Sequence, residues 1–167
     1  MKKHVVAPVA AGILLAVAGN AQADARSATF NVSATVAKAC AIRAADLNMG
    51  TWDGTGNLNG ASTISVKCST GTPYTVALNE GLNSSGLVAD RKLANAGDTL
   101  AYNLYTDSAR TQVWGETIGT DTVPGTGNGM ANANERDITV YSRIALADLQ
   151  AAKPGTYNDT VTATVEY

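Results

Sequence analysis

Tyr157-Asn158-Asp159-Thr160-Val161-Thr162-Ala163-Thr164-Val165-Glu166-Tyr167 alternates apolar and polar side chains along most of its length. Tyr157, Val161, Ala163, Val165 and Tyr167 face one way, and Thr160, Thr162, Thr164 and Glu166 face the other. A period of two belongs to extended chain, whose successive side chains point to opposite faces, so the stretch predicts a half-buried β-strand. The same period recurs upstream. Ala28, Phe30, Val32, Ala34 and Val36 alternate with Thr29, Asn31, Ser33 and Thr35. Ile64, Val66 and Cys68 share a face, as do Tyr74, Val76 and Leu78, then Leu100, Tyr102 and Leu104, then Ile138, Val140 and Ile144. Helical spacing is confined to residues 145–152, a short connector ended by Pro154. Asn83-Ser84-Ser85-Gly86 and Pro154-Gly155 are tight-turn signals, and residues 50–60 and 115–134 read as long, Gly- and Asn-rich loops. Six or seven short strands at this spacing predict an all-β fold, an immunoglobulin-like β-sandwich.

The first residues set the compartment. Lys2, Lys3 and His4 precede a mostly apolar run from Val5 to Ala18, and Ala21-Gln22-Ala23 supplies a small-x-small cleavage pattern. Together these predict a cleaved signal over residues 1–23. The apolar run, about 14 residues, is shorter than the roughly 20 a membrane-spanning helix needs, and no later stretch is long and apolar enough to span a bilayer. Cleavage leaves 144 of 167 residues, with 10 cations against 14 acids, a formal charge of −4. One domain fits that length. A mildly acidic surface gives no electrostatic reason to expect nucleic acid or anionic membrane as a partner.

Cys40 and Cys68 are the only cysteines. In an exported chain an isolated pair predicts a structural disulfide. A metal pair would need His neighbours, and a redox pair would show Cys-x-x-Cys spacing.

Catalytic constellations fail by elimination. His4 is the only histidine and leaves with the signal, so the mature chain has no Ser-His-Asp or Cys-His arrangement and no His metal ligand. Asp53, Asp90, Asp98, Asp107 and Asp121 sit singly in turns and read as solvated turn residues. The run from Asp53 to Asn59 resembles a calcium loop but lacks its Gly at position six and Glu at position twelve. Gly125-Thr126-Gly127-Asn128-Gly129 lacks the Gly-Lys-Ser/Thr ending of a phosphate cradle and reads as a flexible loop. These readings predict no enzymatic activity, no metal and no cofactor. Trp52 and Trp114 are candidates for sugar-stacking platforms or for the sandwich core.

Three separated motifs carry a family resemblance. Pro154-Gly155-Thr156-Tyr157-Asn158-Asp159-Thr160-Val161, running to Tyr167, resembles the end of the spore coat U family, which includes major subunits of archaic chaperone–usher pili. Leu100-Ala101-Tyr102-Asn103-Leu104-Tyr105-Thr106-Asp107, with Ala109-Arg110 and Trp114-Gly115, resembles its central signature. Ile64-Ser65-Val66-Lys67-Cys68 and the spacing back to Cys40 fit as well. The 115–134 loop departs from the pattern.

The resemblance implies an incomplete sandwich lacking its last strand, with residues 24–38 as a donor-strand extension and 39–167 as the pilin-like domain. Ala28, Phe30, Val32, Ala34 and Val36 would enter a neighbouring subunit beside the strand carrying Tyr157, Val161, Ala163, Val165 and Tyr167. The sequence agrees with this: an uncharged alternating strand precedes Cys40, and the Tyr157–Tyr167 strand is followed by no further one. The implied partners are further copies of the chain, a periplasmic chaperone and an outer-membrane usher. The implied location is a surface fimbria, with adhesion and biofilm formation as its roles. Two other readings remain open at this point. In one, residues 28–36 close their own sandwich, giving a monomeric secreted or spore-coat protein. In the other, the chain is a carbohydrate-binding module.

Overall fold

A computed structural model describes residues 23–167; the expected signal sequence lies outside the described residues, apart from Ala23. The chain divides into two units, the first ending at Thr35 and the second running from Val36 to Tyr167.

The second unit is built from nine strands and one short helix: β1 (Cys40–Ala44), β2 (Leu58–Cys68), β3 (Pro73–Leu78), β4 (Lys92–Asn95), β5 (Asp98–Ala101), β6 (Asn103–Tyr105), β7 (Val123–Thr126), β8 (Arg136–Ile144), α1 (Leu146–Ala151) and β9 (Ala163–Glu166). One sheet runs β1-β2-β8-β6, a second runs β7-β3-β9, and β4-β5 form a hairpin. Every pairing is antiparallel. Ile64 and Val66 of β2 meet Leu104 of β6 and Ile138, Val140 and Ile144 of β8 in one core with Tyr74, Val76 and Leu78 of β3. These are the inward positions of period-two strands, so the sequence pattern translates directly into an immunoglobulin-like β-sandwich.

Cys40 and Cys68 are bonded and stand opposite each other at the start of the β1–β2 ladder. Trp114 is fully buried and donates its indole N–H to the Val76 carbonyl at 2.9 Å. Arg91 is fully buried too.

The structure differs from the sequence reading at several points between residues 50 and 134. The expected strand through Leu100, Tyr102 and Leu104 is cut at Tyr102, whose N–H turns to the Arg91 carbonyl. This lets β5 pair with β4 while β6 pairs with β8. The 115–134 segment contains a strand, β7, antiparallel to β3. Its Pro124 and Gly125 disguise it; Pro is tolerated because β7 is an edge. The segment Gly125–Gly129 is therefore partly strand and closely packed, not a free loop: a Cβ at Gly127 would sit 2.3 Å from the Ser69 carbonyl oxygen. The 50–60 loop is shorter than expected, with β2 beginning at Leu58.

Candidate functional site: a groove between two sheet edges

β1 ends one sheet and β9 ends the other. Where β1 ends at Ala44 and β9 begins at Ala163, the sandwich is open. A cavity of about 300 Å³ lies there, floored by Ile64, Leu78, Leu104 and Val140 and walled by Ala44–Met49 on one side and Asp159–Ala163 on the other. A second cavity of about 840 Å³ shares Leu47, Met49, Leu93 and Asp159 with the first and extends past Trp52 and Leu58 to Leu149 and Tyr157.

Both walls present backbone to the opening. Thr162 accepts from the Asn79 N–H and donates its own N–H to the Asn79 side chain, so its polar groups point into the β3–β9 sheet. By alternation, the N–H and C=O groups of Val161, Ala163 and Val165 face the groove. On the other wall, Ala39 and Ala45 bond to Ser69 and Thr63, which turns the groups of Ile42 and Ala44 outward. Two rows of unpaired backbone groups thus flank an apolar floor.

Each wall is held by polar contacts. The Asp159 carboxylate accepts from the Leu82 N–H (3.0 Å), the Asn83 amide (2.9 Å) and the Tyr102 hydroxyl (2.7 Å). Burial first, and the Asp159 bond second, push the Tyr102 hydroxyl pKa far upward, so it stays a donor. Arg91 donates to the Leu78 and Asn79 carbonyls and to the Asn103 side chain. Burial lowers its pKa, opposed by the phenol of Tyr102 and the carboxylates of Asp121, Asp159 and Glu116. A guanidinium remains charged regardless, given its reference value. Behind the β1 wall, the Ser62 hydroxyl donates to the Ala45 and Asp46 carbonyls. Leu47 and Met49 rest over Gly60, where a Cβ would lie 2.7 Å from Met49 Cγ.

The residues expected to form the terminal strand lie on the groove side of the core. Tyr157, Val161, Ala163 and Val165 are half-buried against it, while Tyr167 is 59% exposed. Only Ala163–Glu166 has regular strand pairing, although Asn158 makes a β-bridge to Ala94. Phe30, Val32 and Val36 are 85%, 83% and 92% exposed, Ala28 and Ala34 are exposed as well, and none of the five lies in a strand. Two parts of the groove escaped the sequence reading. Asp159 has the parity of Tyr157 and Val161, and that parity was the available signal. Leu47 and Met49 stand two apart in a stretch without strand composition.

Other candidates resolve plainly. Trp114, being buried, offers no sugar platform, and Trp52 is half-buried with its N–H between the Thr55 and Gly56 carbonyls. Asp53 accepts from the backbone and hydroxyl of Thr55, which lower its pKa, so the calcium-like loop spends its first carboxylate on its own turn. Asp107 and Asp121 likewise cap turns, through Thr111, Gln112 and Thr117. Among the described residues no three His, Cys, Asp or Glu side chains cluster as a metal site, and no helix is long and apolar enough to cross a membrane.

Fold and groove together define a class: disulfide-bonded immunoglobulin-like sandwiches open along one edge. Comparison narrows it. The chain belongs to the Spore Coat Protein U domain family, which matches residues 26–164. It is 34% identical to Protein U of Myxococcus xanthus over 182 residues, an alignment covering 99% of this chain and 98% of that protein. Among solved structures it resembles one from the pre-assembly complex of the chaperone CsuC with the tip adhesion subunit CsuE, from archaic chaperone–usher Csu pili of Acinetobacter baumannii. The TM-score is 0.57 at 27% identity, covering 80% of this chain. The chain spans only 40% of that structure's chain.

Proposed function

We propose that this protein is a structural subunit of a surface pilus, assembled when one subunit's residues 28–36 enter the groove of the next. The observation that carries the reading is the coexistence, in one chain, of an open groove with unpaired backbone on both walls and an exposed alternating apolar segment. Such a groove is a liability until a strand fills it. A strand added there pairs the free groups of Val161, Ala163 and Val165, while Phe30, Val32, Ala34 and Val36 cover the apolar floor. Burying those four side chains contributes about 4 to 8 kcal/mol before ordering costs. The contact is head-to-tail, so it propagates into a filament instead of closing on itself.

Family membership and the likeness to a chaperone-bound pilus subunit support the same assignment. On this reading a periplasmic chaperone fills the groove before assembly, an outer-membrane usher exports the subunit, and the fimbria serves adhesion and biofilm formation. The role is structural and not enzymatic.

Phe30→Asp tests it by placing a carboxylate in an apolar slot, at a cost of several kcal/mol. Polymer should disappear from SDS-resistant ladders while folding with the chaperone is retained. A Phe30→Asp protein that unfolds, from a parent that is monomeric to begin with, would instead mean that the segment closes its own domain.

A further inference from the structure

The groove also contains the information that sets where the incoming strand stops. Burial alternates without a break along the wall: Tyr157, Asp159, Val161, Ala163 and Val165 are half-buried, and the residues between them are exposed. Four of these five inward positions are uncharged. The fifth, Asp159, is pinned by its three hydrogen bonds and cannot swing clear. The incoming segment carries one large inward side chain, Phe30, and one small one in its interior, Ala34.

A strand can slide in this slot only by two residues at a time, because a one-residue slip turns its apolar face outward. All strand pairs of the fold are antiparallel, so an added strand beside β9 extends the same pattern.

Resting on the pilus reading above, we infer that the register places Phe30 opposite Ala163 and Ala34 opposite Asp159. Val32 then meets Val161, Val36 meets Tyr157 and Ala28 meets Val165. The largest side chain faces the smallest wall residue, over the roughly 300 Å³ cavity bounded by Val161, Ala163 and Leu104. The smallest interior side chain covers the carboxylate and strips the least water from it. Slipping two residues one way sets Val36 on Asp159 and Phe30 against Val165. Slipping the other way sets Val32 on Asp159 and Phe30 against Val161. Each slip crowds the ring against a β-branched neighbour and covers the carboxylate with a larger apolar group. Size and charge therefore select the same alignment from different residues.

Paired cysteines on the outward face read the register without touching the core. Thr162 turns its backbone away from the groove, so its partner there forms a non-hydrogen-bonded pair with Cα atoms about 4.5 Å apart, within disulfide reach. Asn31→Cys with Thr162→Cys, and Ser33→Cys with Thr160→Cys, should each give an oxidised ladder of covalently linked subunits in the exported polymer. Asn31→Cys with Thr160→Cys or with Thr164→Cys should give none under the same conditions. Ladders from either of the latter pairs, with none from the first two, would overturn the register and leave the pilus reading standing. Absence of any intermolecular bond in all four, with thiols that still label, would overturn the register, and would overturn the pilus reading as well if the exported parent protein forms no SDS-resistant ladder. A bond formed only within single chains would do the same.

Discussion

Removing the Cys40–Cys68 bond should lower stability by an amount calculable from the loop it closes. The two residues are 28 apart in sequence, and the chain-entropy relation then gives a denatured-state restraint of about 12 cal/mol/K, about 3.6 kcal/mol at room temperature. Cys68 is also fully buried, so truncation to alanine adds a cavity cost of about 1 kcal/mol. Cys40→Ala with Cys68→Ala should therefore lose about 4 to 5 kcal/mol. With a urea slope of about 2 kcal/mol/M, the unfolding midpoint should fall by about 2 M. Buried Trp114 supplies the fluorescence signal. The slope should rise slightly, because the unbridged denatured chain exposes more surface. A midpoint shift under about 0.5 M would refute the reasoning. It would mean that the bridge restrains a denatured state already held together by other contacts.

Two further predictions rest on other parts of the fold. Gly127→Ala would drive a Cβ against the carbonyl oxygens of Ser69 and Cys68, at 2.3 and 2.6 Å, where no side-chain rotation gives relief. It should cost about 1 to 3 kcal/mol in the same urea assay, and unchanged stability would show that the β3–β7 end yields easily. Asp107 is held below the usual carboxylate range, first by the Gln112 N–H and then by Thr111. Its folded-state pKa is thus lower than its unfolded one, so its contribution is complete above about pH 4 and is lost as pH falls through the lower folded value. Thermal unfolding of Asp107→Asn should accordingly depend less on acid than the parent does, and parallel pH profiles would count against this.

What the sequence made legible was most of the strands whose apolar parity finds a partner within the fold; residues 28–36 alternate as well and form no strand. Alternation at Ile64–Cys68, Tyr74–Leu78, Ile138–Ile144 and Ala163–Val165 identified strands that pair as antiparallel ladders. The disulfide was legible because an isolated cysteine pair in an exported chain has few other uses. β7 was not, because a strand written Val-Pro-Gly-Thr has the composition of a turn and is stabilised by its partner β3, not by its own propensity. The break at Tyr102 was hidden by unbroken alternation; it depends on Arg91, whose carbonyl takes the Tyr102 N–H at the rung that continues the β4–β5 hairpin. Burial of Arg91 itself runs against composition, since arginine is rarely fully enclosed, and the convergence of the Leu78 and Asn79 carbonyls and the Asn103 side chain makes it tolerable. Asp159 was not legible because a carboxylate by its chemistry belongs on the solvent side, whereas its three donors replace solvent.

The position of the disulfide also decides how the domain bears tension. Val36 lies four residues before Cys40, and Cys40 stands opposite Cys68 at the first rung of the β1–β2 ladder. A pull on the amino-terminal segment therefore reaches β2 through a covalent bond before it strains any rung from Ala41 to Ala44. From there it spreads into β8 along the Leu58–Val66 ladder in the middle of the sheet. The edge strand β1, held to the sheet on one side only, is shielded from being peeled away by that pull, and its last residue, Ala44, begins one wall of the groove. Traction on the filament proposed above would load that wall only through the neighbour's strand seated against it, and not also through the subunit's own amino-terminal segment.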